Sequence, residues 1–86
     1  MDIGVEISLY PLKTDYIPSI HRFLEDLSAQ RGLKVVTNSM STQVFGDFGE
    51  VMDALRAALG ASFGRLAAGS ERAAFVMKVI GPLPSA

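Results

Sequence analysis

Hydrophobic periodicity along this chain switches in a fixed order: alternation by two, then helical spacing, then two short alternating runs, then helical spacing again, then a last alternating run. Ile3, Val5, Ile7 and Leu9 alternate with Asp2, Gly4, Glu6, Ser8 and Tyr10, which predicts a first strand with one apolar face. Pro11 ends it. Thr14 or Asp15 can cap a helix whose first turn accepts Pro18, and Ile17, Ile20, Leu24 and Leu27, with Phe23 beside them, keep helical spacing. Gly32 is a plausible terminator for that helix. Leu33 to Asn38 and Thr42 to Gly46 read as strands joined by a hairpin turn. Asp47 and Glu50 then resemble a capping box with Asp in the cap role. The second helix carries Val51, Met52, Leu55, Leu59, Phe63 and Leu66, and Gly69 can close it. Arg72 to Ile80 is the last strand, and residues 81–86 are expected to be a short tail.

The order β-α-β-β-α-β predicts an α+β, ferredoxin-like domain over residues 1–86: a four-stranded antiparallel sheet with two helices on one face. A chain of 86 residues buries only about 60% of the surface its unfolded form exposes, so it must use apolar residues efficiently or borrow surface from a partner. The last strand points to the second solution. Phe75, Met77 and Val79 face one way, and Ala74, Val76 and Ile80 the other, interrupted by Lys78; Val36 and Phe45 extend the second set. A half-exposed antiparallel strand alternates with polar residues, so a homodimer or tetramer is expected, with an edge strand shielded by the tail as the alternative. Ala57, Gly60, Ala61, Gly64 and Ala68 form a small-residue stripe on the second helix, expected to pack against the first helix, with an intersubunit contact as the alternative.

Several function classes are excluded or disfavoured. There is no cysteine, hence no disulfide and no thiolate metal site. The formal net charge is −1 without a basic run, which disfavours nucleic acid. No apolar stretch approaches the roughly 20 residues of a membrane span, and no secretory leader is evident, so a cytoplasmic location is the default. His21 is the only histidine and flanks the first helix's apolar stripe, so it reads as a partly exposed structural residue. Glu25 with Asp26 reads as a solvated face. No phosphate loop, nucleophile motif or metal-ligand spacing occurs, so no enzyme, cofactor or metal is expected.

Two polar groups remain. Glu6 lies mid-strand on the face opposite Val5 and Ile7; it is solvated, or paired with Lys78, or available as counter-charge to a ligand. With Ser8 and Tyr10 it forms a polar strip flanked by apolar residues, a composition suited to a small-molecule site. Asn38, Ser39, Met40, Ser41, Thr42 and Gln43 concentrate donors and acceptors at the hairpin. Asn and Ser are ordinary turn residues. Thr42 and Gln43 are less needed for a turn, and Met40 offers an adaptable apolar wall.

Val5-Glu6-Ile7-Ser8-Leu9-Tyr10-Pro11-Leu12 and Asn38-Ser39-Met40-Ser41-Thr42-Gln43-Val44-Phe45-Gly46-Asp47 resemble the two signatures of the thiamine/hydroxymethylpyrimidine-binding, YkoF-type family. The resemblance implies non-enzymatic binding of thiamine or its pyrimidine half in vitamin B1 salvage or transport. It implies Glu6, Ser8, Tyr10 and Asn38 through Gln43 as ligand-binding residues. The typical member carries two such domains, so a single-domain chain would rebuild that arrangement from identical copies. An aminopyrimidine offers ring-nitrogen acceptors and an amine donor that Ser8, Asn38, Ser41, Thr42 and Gln43 complement. Glu6 would balance the thiazolium charge, and Tyr10 or Tyr16 would pack on a ring. The lack of a phosphate cradle favours the unphosphorylated vitamin. The competing reading is an oligomeric regulatory or assembly module of the same fold that binds another metabolite or a protein.

Overall fold

In the computed structural model, which describes residues 1–12, 17–29, 32–38 and 40–84, the elements run β1 (Asp2–Pro11), α1 (Ile17–Ser28), β2 (Lys34–Thr37), β3 (Thr42–Asp47), α2 (Phe48–Ala68) and β4 (Ala73–Leu83). The strands form one antiparallel sheet in the order β2-β3-β1-β4. The predicted α+β, ferredoxin-like order is therefore the observed one. Thr14 and Asp15, the expected caps of α1, lie outside the described residues.

The alternation on β1 divides the sheet into two faces. Ile3, Val5 and Ile7 are buried under the helices with Val44 of β3, Phe23 and Leu27 of α1, and Val51, Ala54, Leu55 and Ala58 of α2. Phe23 and Phe75 lie 5.0 Å apart between ring centroids, and Phe63 meets Phe75 edge-on at 5.4 Å. These contacts tie both helices to the edge strand β4.

Helix α2 starts directly from β3. The Asp47 carboxylate accepts hydrogen bonds from the backbone N–H of Gly49 at 3.1 Å and of Glu50 at 3.4 Å, as the cap role read for Asp47 predicts. The N-terminal ammonium lies 3.4 Å from the same carboxylate. The Glu50 N–H foremost holds the Asp47 pKa below its ordinary value; desolvation opposes it, and the ammonium and the Gly49 N–H add to the lowering. Across the helices, Arg65 of α2 donates to Asp26 of α1 at 3.0 Å, so Asp26 is an interhelix partner rather than part of a solvated face.

Four expectations change. Helix α1 ends at Ser28, and Gly32 instead supplies the positive φ of 81° in the turn leading to β2. The small residues of α2 that turn inward are Ala54, Ala58 and Ser62, all buried. The stripe Ala57, Gly60, Ala61, Gly64 and Ala68 faces outward, and a Cβ built on Gly60 or Gly64 meets nothing within 4 Å. A register offset of one or two residues on a helix decides which of two small-residue stripes turns inward. Residues 81–83, expected in a tail, continue β4: a bulge opposite β1 between Asp2 and Gly4 absorbs an extra residue, and an edge strand tolerates Pro82. Finally, Met77 and Val79 lie on the helix side of β4, opposite Ile7 and Val5, yet are 40% and 57% exposed. The helices centre on β1 and β3 and leave that edge half covered.

Candidate functional site

Pairing register places the open face of the sheet residue by residue. Glu6 stands between Gln43 of β3 and Lys78 of β4; Gly4 stands between Phe45 and Ile80; Ser8 is opposite Val76 and Tyr10 opposite Ala74. Val36 is opposite Gln43. The apolar set on this face is therefore the predicted one, and Val76 and Ile80 are 55% and 64% exposed. Beyond Ile80 the chain carries on as strand to Leu83 instead of folding back as a shield.

A shallow hollow of about 510 Å³ lies in the middle of this face, lined by Glu6, Gln43, Lys78, Gly4, Phe45 and Ile80 among others. Its floor needs a glycine: a Cβ on Gly4 would come within 2.9 Å of the Phe45 ring. Glu6 and Lys78 form a loose ion pair at 3.8 Å, the pairing that the sequence offers as the structural account of a mid-sheet carboxylate.

A second, separate cleft of about 290 Å³ lies where the end of β1 meets the β2–β3 hairpin and α1. Ser8, Tyr10, Asn38, Met40, Ser41 and Thr42 line it. Its apolar walls come from Ile7 and Leu9 of β1 and from Ile20, Phe23 and Leu24 of α1. Thr37 completes the polar side. Thus six of the nine residues expected in one site share this cleft, whereas Glu6 and Gln43 belong to the hollow. Ser39, like Tyr16, lies outside the described residues.

The pleat explains the division. Thr42 pairs with Ile7 and Thr37, all on the helix side, while the next residue, Gln43, pairs with Glu6 and Val36 on the open side. Thr42 is buried, and its hydroxyl lies 3.1 Å from that of Thr37. Asn38 closes the hairpin: its Oδ1 accepts from the N–H of Met40 at 2.8 Å and of Ser41 at 3.1 Å, and its own N–H donates to the Ser41 carbonyl at 3.1 Å. Turn chemistry is therefore one role of Asn38. Met40 is 84% exposed at the rim. Sequence reasoning missed Thr37, Ile20 and Leu24 as cleft residues. The two aliphatic residues follow the helical stripe that also builds the core, so their pattern carries no separate mark.

His21 is exposed on α1. Among the described residues no group of three His, Cys, Asp or Glu side chains is placed to hold a metal ion. No helix among them is long and apolar enough to cross a membrane.

Solved structures with this fold include a protein from Methanocaldococcus jannascii, 23% identical with a TM-score of 0.78 over 99% of this chain and 84% of the other. A candidate thiamine biosynthesis/salvage protein from Thermotoga maritima is 21% identical, TM-score 0.79, over 95% of this chain and 85% of the other. Protein SP2199 from Streptococcus pneumoniae is 20% identical, TM-score 0.83, over 96% and 89%. At these identities the likeness is one of fold. No curated protein matches the chain in sequence. The model of the YkoF-related family matches residues 2–71, a span that contains both signature segments and every residue of the cleft. The chain belongs to the YkoF-related family.

Proposed function

We propose that this chain binds thiamine or its hydroxymethylpyrimidine moiety without turning it over, in cytoplasmic salvage or transport of vitamin B1. The observation that carries this reading is the cleft. It gathers Ser8, Tyr10, Asn38, Ser41 and Thr42 against apolar walls from α1 in a volume of about 290 Å³. Small-molecule sites start near 300 Å³ and combine apolar walls with a few placed polar groups, so the cleft suits one small heterocycle. Membership of the YkoF-related family, and the thiamine role printed for the Thermotoga maritima neighbour, support the same ligand. Tyr10 at the rim supplies a ring for stacking or cation–π contact.

The apolar open face supports a second part of the proposal, that copies of the chain associate. Ile80 exposes more than half its surface in one row with Gly4 and Phe45, and Val76 and Val36 add exposed apolar surface on either edge of the same face, apolar area of the kind that partners cover. Calorimetric titration with thiamine, hydroxymethylpyrimidine and thiamine diphosphate tests the ligand. Saturable heat with either of the first two is expected, and the diphosphate should bind no tighter. Absence of both heat and thermal shift at millimolar ligand would refute the reading. Light scattering tests association, and a clean monomer mass would refute that part.

A further inference from the structure

Asn38 is held in one orientation by its own hairpin, and this has a chemical consequence for whatever occupies the cleft. A carboxamide offers two acceptor lone pairs on oxygen and two donors on nitrogen. In Asn38 the backbone N–H groups of Met40 and Ser41, at 2.8 and 3.1 Å, both converge on Oδ1. Two donors can meet only the oxygen end of the group, so the amide cannot flip without breaking both bonds. The acceptor capacity of Asn38 is used by the turn. Nδ2 makes no hydrogen bond to the other described residues, and Asn38 lines the cleft.

Resting on the binding role assigned above to the cleft, we propose that Asn38 is its specificity-determining donor. The site then takes neutral heterocycles or amides that present an unprotonated acceptor, a ring nitrogen or a carbonyl oxygen, to Nδ2. Asn38 is exposed in the open cleft, so an occupant that covers Nδ2 strips it of water, and a ligand offering only N–H at that position gives no acceptor in return and is disfavoured. Protonation of the ring nitrogen removes the acceptor and has the same effect. Binding of an aminopyrimidine should therefore weaken as the pH falls through that nitrogen's own pKa in free solution.

Asn38→Asp separates the two roles of the residue. A carboxylate still accepts from the Met40 and Ser41 N–H groups, and more strongly, so the hairpin persists. It has no donor for a ligand acceptor. With hydroxymethylpyrimidine as the calorimetric probe at neutral pH, the Asp variant is expected to keep its thermal midpoint and to bind at least tenfold more weakly than the wild type. A residue that serves the turn alone would leave binding unchanged in this variant, and that result would overturn the proposal. A second measurement needs no variant: pyrimidine analogues with C–H in place of each ring nitrogen are titrated into the wild type. At least one replacement should cost tenfold in affinity; if neither does, the donor role is wrong. If the wild type binds neither hydroxymethylpyrimidine nor thiamine, the assigned function falls and takes this inference with it; if it binds thiamine alone, thiamine is the probe for the same comparison. Equal binding by wild type and Asp variant sinks the inference alone.

Discussion

Replacing Thr42 by Val tests whether the cleft's buried hydroxyl belongs to the fold or to the ligand. The side chain is 7% exposed, lies opposite Ile7 and Thr37, and shares a 3.1 Å contact with the Thr37 hydroxyl. Valine keeps the shape and removes the oxygen. Loss of one neutral hydrogen bond costs about 0.5–1.5 kcal/mol. Thr37 is exposed, so its hydroxyl turns to water and no buried polar group is orphaned. A methyl against Ile7 returns about 0.8 kcal/mol, and valine suits a strand. The net change in stability is within about 1 kcal/mol, a thermal shift of less than roughly 8 °C for a domain this small. For the ligand there is no such compensation. A polar atom facing the new methyl inside the cleft is left unpaired at a cost of about 1–3 kcal/mol, which is roughly five- to 150-fold in affinity. Thermal melts and calorimetry on the same preparation give both numbers. Unchanged affinity in a stable variant would show that the Thr42 hydroxyl serves Thr37 alone. A collapse of the melting temperature with wild-type affinity in the surviving fold would reverse the assignment.

Three further outcomes follow from the same geometry. Glu6→Gln, altering a residue of the open-face hollow paired to Lys78 at 3.8 Å, should leave hydroxymethylpyrimidine affinity in the separate cleft within about twofold, since exposed pairs contribute little; a larger loss by calorimetry would place the ligand across both hollows. Phe75→Leu removes ring contacts at 5.0 and 5.4 Å, each worth about 0.5–1.5 kcal/mol, so thermal melts should fall by on the order of 10 °C. Asp47 has a folded pKa below its ordinary 3.8, so its stabilising effect is complete above that value and is lost as the pH falls through the folded pKa. Denaturant titrations at about pH 5 and about pH 2 should show this loss in the wild type and a shallower one in Asp47→Asn, which keeps the cap without the charge.

Much of this is legible in the sequence alone. Strict alternation from Ile3 to Leu9 and the cap at Asp47 follow from local rules that need no tertiary information, whereas the Glu6–Lys78 pair depends on the strand order that brings β1 beside β4. The candidate site was legible in its members but not in its partition. Thr42 and Gln43 are adjacent in sequence and share a polar character, and only the pleat sends them to opposite sides of the sheet. Ile20 and Leu24 were unreadable as cleft walls because helical periodicity marks every inward residue alike, whether it faces side chains or a space. The exposure of Met77 and Val79 depends on where the helices sit across the sheet, which alternation does not encode. The inward stripe of α2 was misread because Ala54, Ala58 and Ser62 are as small as their outward neighbours, so size did not discriminate between the two sides.

The last turn of β1 carries a consequence for how assembly and binding interact. Ser8 and Tyr10 belong to the open-face row of the strand, yet both also line the cleft. Any surface that settles on the open face as far as Tyr10 therefore touches a wall of the cleft. Thermodynamic linkage then makes the two equilibria reciprocal: a partner that changes ligand affinity by some factor has its own affinity changed by the ligand by the same factor. Were copies of the chain to associate there with such a factor, protein concentration would become an effector. Dilution would tune how tightly each cleft holds its occupant, and a saturating occupant would tune how far the population is associated.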